Sequence, residues 1–189
     1  NQHQAHAANA FYTSPFEDAL IITIDGGGVD YIDGRENSWG DLDSHPNSGA
    51  RVTATTFWMG KDNKIEPIEI IDAGKLNIGW YWDHCTYHIF GLNRNAVKGG
   101  EEGTVMGMAA WGNPDKYIKH FSNMGPGARE PHDMGFLIKE ASESEQNKFD
   151  IAASLQKETE RVCKELFDSF VEEYKPKNIC LSGGVSLNC

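Results

Sequence analysis

Positive charge is what this sequence has least of. Its 189 residues carry 17 Lys and Arg against 28 Asp and Glu, a formal net charge of −11. Phosphate backbones are held by basic surfaces, so this balance argues against nucleic acid as a direct partner and fits a soluble, cytoplasmic surface. Long apolar runs are missing too: none approaches the roughly 18 residues of a membrane-spanning helix, so no membrane partner is expected. The opening stretch Asn1–Asn9 is polar and lacks the basic region of a secretory leader. Cysteine is sparse. Cys85, Cys163, Cys180 and Cys189 are far apart with no CxxC, which excludes a zinc ribbon and argues against a disulfide framework. A reducing cytoplasm fits, and no neighbouring residue marks any of these thiols as activated. The G-x-S-x-G pattern of a serine nucleophile is also absent. The chain does not begin with Met, and Cys189 falls inside a strand-loop pattern, so both ends read as boundaries within a longer protein.

Hydrophobic residues make up 39% of the chain, enough for one domain with a proper core. Gln2–Phe11 reads as a short helix broken by Ser14-Pro15. Ala19–Asp25 is an apolar, β-branched run that predicts a buried strand, and Asp25-Gly26-Gly27-Gly28 predicts a sharp loop at its end. Asp30–Ala50 reads as a long polar loop or insertion. Arg51–Met59 and Lys64–Ile71 alternate around a turn at 60–63 and predict a hairpin, with Pro67 favouring an edge strand. Gly74–Leu92 and Glu101–Trp111 read as helices, and Pro114–Phe136 as loop. In Phe149–Tyr174 the residues Ile151, Leu155, Val162, Leu166, Phe170 and Tyr174 recur at helical spacing, with Asp150 as N-cap and Pro176 as stop. Asn178–Leu181 predicts a second buried strand, turned by Ser182-Gly183-Gly184. Strands alternating with helices and ending in glycines imply a layered α/β domain with its ligand site at the strand ends.

Three places can carry chemistry. His3 and His6 lie near one face of the first helix and could share a metal, or could be core histidines under a sheet. Asp25 leaving a buried strand could hold a cation, and Gly26, Gly27 and Gly28 would let backbone N–H groups reach phosphate oxygens; a tight turn serves equally well. Gly183 and Gly184 leave room for a ring or phosphate, or simply turn the chain. Two glycine-rich strand ends in one domain favour a nucleotide cleft between them.

Five segments in order resemble nodulation-type carbamoyltransferases. His3-Gln4-Ala5-His6-Ala7-Ala8-Asn9-Ala10-Phe11-Tyr12 with Ser14-Pro15-Phe16 is similar to HHxAHAASAFYxSPF, and Thr23-Ile24-Asp25-Gly26 to TIDG. Glu102–Gly112 resembles EGKxMGLAxYG, Asp150–Gln156 resembles DIAASxQ, and Leu181–Cys189 resembles LAGGVALNC. The likeness is poorest over Tyr31–Ala50. It implies the actin-like ATPase fold with ribonuclease-H-like halves, this chain being the central part of the Kae1-like ATP-binding domain. The flanking parts and a C-terminal carbamoyltransferase domain would lie outside it. It also implies an O-carbamoyltransferase that uses ATP and carbamoyl phosphate to make carbamoyl-adenylate. The carbamoyl group then passes to a hydroxyl of a small molecule.

Carried onto these positions, the resemblance puts metal ligands at Gln2, His6 and Asp25, with a further Asp beyond Cys189. The cation would be iron or another divalent ion such as Mg, Mn or Zn. Adenosine contacts fall on Gly183, Gly184, Val185 and Asn188, and phosphate contacts near Asp25–Gly28. Two residues depart from the family: Gln2 replaces a histidine, with His3 as candidate substitute, and Thr104 replaces a lysine. A related tRNA threonylcarbamoyl-adenosine enzyme shares the domain, the metal and the DIAASxQ stretch, but the AFYxSPF and MGMAAWG segments and the acidic charge favour the small-molecule enzyme. A relative that matures hydrogenases would add zinc-finger cysteines and an acylphosphatase domain. A non-catalytic nucleotide-binding domain is the reading from another class. The isolated chain is expected to be inactive.

Overall fold

The computed structural model describes residues 2–31, 50–92 and 100–188. They form two compact units, Asn1–Gly79 with Tyr174–Leu187, and Trp80–Glu173 with Asn188–Cys189. The described strands all lie in the first unit and the described elements of the second are helices, so the chain as a whole is of a mixed α/β kind. Among the described residues no helix is long and apolar enough to cross a membrane.

The first unit holds a four-stranded sheet in the order β3-β2-β1-β4, with β1 at Asp18–Tyr31, β2 at Ala50–Lys61, β3 at Lys64–Asp72 and β4 at Ile179–Ser182. β1 pairs antiparallel with β2 and parallel with β4, while β2 and β3 are antiparallel. The expected hairpin is present, turning at Asp62-Asn63, and Pro67 lies on edge strand β3 beside an irregularity in the β2 ladder. Leu20, Ile21, Ile22 and Ile24 are all buried, so both faces of β1 are covered, as its unbroken apolar run implies. Helix α1 (Gln2–Tyr12) lies on one face, its Ala7 and Phe11 packed with Ala19, Ile21, Trp58 and Cys180. Gly60 allows this close approach: a Cβ there would come within 2.7 Å of the Phe11 ring.

One expectation is corrected here. Asp25–Gly28 is not a loop at the end of a strand. β1 runs through it to Tyr31, and the register with β2 slips between Ile24 and Gly28, a bulge at which Gly27 adopts φ +150°. Three glycines in a row do not by themselves break a strand when a neighbouring strand supplies the ladder on either side. The stretch Asp30–Ala50 expected to loop overlaps the strands at its ends, Asp30 and Tyr31 belonging to β1 and Ala50 to β2, and residues 32–49 lie outside the described residues.

Helix α2 (Ile78–His88) begins in the first unit and runs from Trp80 on in the second, where it buries Tyr81, Trp82 and Cys85. It is followed by α3 (Glu102–Ala109), a single turn α4 (Ile118–Phe121), α5 (Met134–Glu143) and α6 (Glu145–Tyr174). The sequence reading missed α4 and α5, which lie in or next to a stretch full of Gly and Pro. It also started α6 too late. Asp150 is not its N-cap but a buried interior residue, because Glu145–Phe149 already supply a helical turn ahead of it. The apolar stripe holds at Ile151, Leu155 and Val162, whereas Leu166, Phe170 and Tyr174 are more exposed. α6 stops where expected, with Lys175 at φ +45° and Pro176 behind it.

Candidate functional site

The sheet explains how Asp25 is presented. Parallel pairing sets Thr23 of β1 beside Ser182 of β4, so the residues after each, Asp25 and Gly183-Gly184, emerge at the same edge. A Cβ on Gly184 would lie 3.1 Å from Asp25 Oδ1. Gly183 is closer still to β1: at φ +95° a Cβ there would stand 2.2 Å from the Ile24 carbonyl oxygen. The two glycine motifs that the sequence sets more than 150 residues apart therefore meet.

Asp25 is the hub. Its Oδ1 accepts the Gly26 N–H at 2.8 Å. Its Oδ2 accepts the Gln2 amide N–H at 3.1 Å and lies 3.2 Å from His6 Nε2. His6 and Asp25 are partly exposed, with 34% and 23% of their side-chain surfaces accessible. α1 makes this possible, since Gln2 and His6 at i, i+4 share one helical face over the bulge.

Gln2, His6 and Asp25 thus converge, and His3 goes elsewhere. Its ring is fully buried, with Nδ1 2.9 Å from Thr53 Oγ1 on β2. Position 3 is turned about 100° from position 2 on a helix, which carries His3 under α1 and into the sheet. His3 is a core histidine and not the substitute for Gln2.

The glycines divide their work. The space beside Gly28 is taken by Gln2, whose Oε1 would lie 2.6 Å from a Cβ at that position. The Gly26 carbonyl accepts the Asn77 side-chain N–H at 2.8 Å. Gly79, in the first turn of α2, sits so close to the bulge that a Cβ would reach Gly26 N at 2.5 Å. Asn77 and Gly79 escaped the sequence reading. A glycine in a first helical turn, where it costs helix stability, is the signal that could have found them. Val185 lies in the 3-10 turn Gly184–Leu187, and Asn188 follows with its Oδ1 buried and without a hydrogen-bond partner among the described residues. Thr104, at the lysine position, donates its hydroxyl to Glu101 Oε2 at 2.9 Å.

The carbamoyltransferase N-terminus family model matches residues 1–129 and 127–189. The chain belongs to this family. Relatives of this chain include the uncharacterized protein sll1178 of Synechocystis sp., 27% identical over 99% of this chain and 30% of that protein. The nodulation protein NolO of Bradyrhizobium diazoefficiens is 25% identical over the whole chain and 32% of its own length. The nodulation protein NolNO of Sinorhizobium fredii is 26% identical over the whole chain and 25% of its length. The chain therefore spans between a quarter and a third of the curated relatives it matches.

A divalent cation fits the donor set. Two ligands each about 2.1 Å from one ion stand about 3.0 Å apart at right angles, close to the His6–Asp25 separation. Imidazole nitrogen and carboxylate oxygen both suit such an ion, and Gln2 can add its amide oxygen by turning the amide over. Among the described residues no three His, Cys, Asp or Glu side chains gather at one point, so this chain offers an incomplete shell with two strong donors and one weak one.

Proposed function

We propose that the chain is the central part of a Kae1-like ATP-binding domain in an ATP-dependent O-carbamoyltransferase. The observation that carries this reading is the approach of Asp25 to Gly184, which puts the glycine turn after β4 beside the carboxylate on β1. Three antiparallel strands followed by a parallel one, with a helix on one face, support the ribonuclease-H-like half of an actin-like ATPase fold.

In the proposed reaction ATP, carbamoyl phosphate and water give carbamoyl-adenylate, pyrophosphate and phosphate. A small-molecule hydroxyl then displaces AMP at the carbamoyl carbon. The chemistry brings anions together at the α-phosphate, and a divalent cation held by His6, Asp25 and Gln2 would offset that charge. Gly183 and Gly184 let the turn pack onto Ile24 and Asp25 of β1, and adenosine would lie against the turn's backbone beside the carboxylate. Val185 and Asn188 border the same turn. Asp25 holds Gln2 and His6 in place, and Gly26 pins the carboxylate's other oxygen.

The test is pyrophosphate release by the whole protein. Release should require ATP and carbamoyl phosphate together, and Asp25→Ala should abolish it with the circular dichroism spectrum unchanged. ADP formation without carbamoyl phosphate would sink the reading. The alternative is a non-catalytic nucleotide-binding domain, which the departures at Gln2 and Thr104 favour. That alternative predicts saturable ATP binding with no pyrophosphate.

A further inference from the structure

A second histidine cluster stands apart in sequence from the Asp25 site. His84 and His88 lie at i, i+4 on α2, their ring centroids 4.7 Å apart and nearly perpendicular. Residues at this spacing share a helical face, the arrangement by which two histidines on one helix grip a single metal ion. His88 is exposed and His84 half-buried. Rotating the exposed His88 ring would relieve the edge-to-face contact and bring one of its nitrogens round toward the His84 ring.

The orientation of His84 supplies an independent argument. Its Nδ1 is buried and makes no hydrogen bond among the described residues, and Glu130 Oε2 faces it at 3.8 Å. That is longer than a hydrogen bond, but a carboxylate beside a buried ring nitrogen favours the proton on that nitrogen. With Nδ1 protonated, Nε2 carries the lone pair. A carboxylate behind one nitrogen of a histidine whose other nitrogen binds metal is the usual outer support of such ligands, fixing tautomer and ring direction.

We infer that His84 and His88 form a two-imidazole binding site for a divalent transition metal, with Glu130 orienting His84. Water completes the coordination. Imidazole pairs select zinc, nickel and copper over magnesium or calcium, so the site has a ligand chemistry different from the oxygen-rich Gln2, His6 and Asp25 group.

Zinc titration calorimetry on the whole protein carrying His6→Ala and Asp25→Ala removes the other candidate site from the measurement. Adding His88→Ala to that background should cost one equivalent of bound zinc. Because His88 is exposed, its thermal melt should not move. Glu130→Gln should keep the stoichiometry and weaken binding about ten-fold. Copper added to the same background should show hyperfine coupling to two nitrogens by paramagnetic resonance, and to one after His88→Ala. Unchanged zinc stoichiometry and affinity in His88→Ala would overturn the site, and unchanged affinity in Glu130→Gln would remove Glu130 from it.

Discussion

At the scale of single residues, Asp25 draws three groups to itself: the Gly26 N–H, the Gln2 amide and the His6 ring. Gln2 is the weak member toward a transition metal, since an amide oxygen is a poorer donor than imidazole. Gln2→His should therefore raise metal occupancy of the whole protein, read by elemental analysis after dialysis at fixed metal concentration. Equal occupancy in the two proteins would mean that Gln2 is not a ligand. Gly28→Ala tests the same corner from the other side. Its Cβ would meet Gln2 Oε1 at 2.6 Å and Cδ at 2.7 Å. The Gln2 amide can withdraw, but the Gln2 Cβ, 2.9 Å away, is fixed to α1, so the substitution should lower metal affinity and also lower the unfolding midpoint as α1 is pushed off the bulge.

At the scale of elements, the segments between Gly112 and Asp150 explain two motifs whose chemistry is structural. Asp150 is buried inside α6, where its carboxylate accepts the Asn113 N–H at 2.8 Å, the Gln146 side chain at 2.9 Å and the Lys116 ammonium at 2.9 Å. Gly112 fits against the same turn so tightly that a Cβ would stand 1.9 Å from the Phe149 carbonyl oxygen. Gly112→Ala forces backbone apart and should destabilise the chain by about 2–4 kcal/mol, measured by urea unfolding. A midpoint equal to wild type would contradict the packing.

Burial works to raise the Asp150 carboxyl, but the Asn113, Lys116 and Gln146 hydrogen bonds outweigh it and hold the group below its ordinary value. A depressed folded value means that the stabilisation is fully present above the unfolded carboxylate value of about 3.9 and is lost as pH falls below it. Asp150→Asn should flatten this part of the acid unfolding curve. Its stability should differ most from wild type near neutral pH and converge toward it below pH of about 4. A constant difference across that window would show that the Asp150 charge is not what counts. The thiols behave as packing groups: burial pushes Cys85 well above the ordinary range and raises Cys163 to about 11. Neither is a nucleophile near neutral pH.

At the scale of the whole chain, the net charge of −11 favours the small-molecule proposal over the tRNA alternative. A tRNA-modifying relative needs a basic face, and a small-molecule carbamoyltransferase does not. Filter binding of tRNA to the chain at low salt should show no saturable retention. Tight, salt-sensitive binding would restore the tRNA reading.

Much of this protein was legible from its residues alone. The apolar run Leu20–Ile24, the alternation on either side of Asp62-Asn63 and the spacing of Ile151, Leu155 and Val162 specify β1, the hairpin and α6 because burial demands a period of two or near four. The motif order specified the family, since side-chain identities at fixed spacing survive without coordinates. Contacts between distant segments were decided only in three dimensions. Strand pairing with β2 carried β1 through three glycines, and a helical turn ahead of Asp150 made a cap into a buried anchor. The one-residue step from Gln2 to His3 sent the second ring into the core beside Thr53 and left the glutamine on Asp25. Local propensity cannot choose among these outcomes, because each depends on which group from elsewhere in the chain arrives to satisfy the backbone or fill the space.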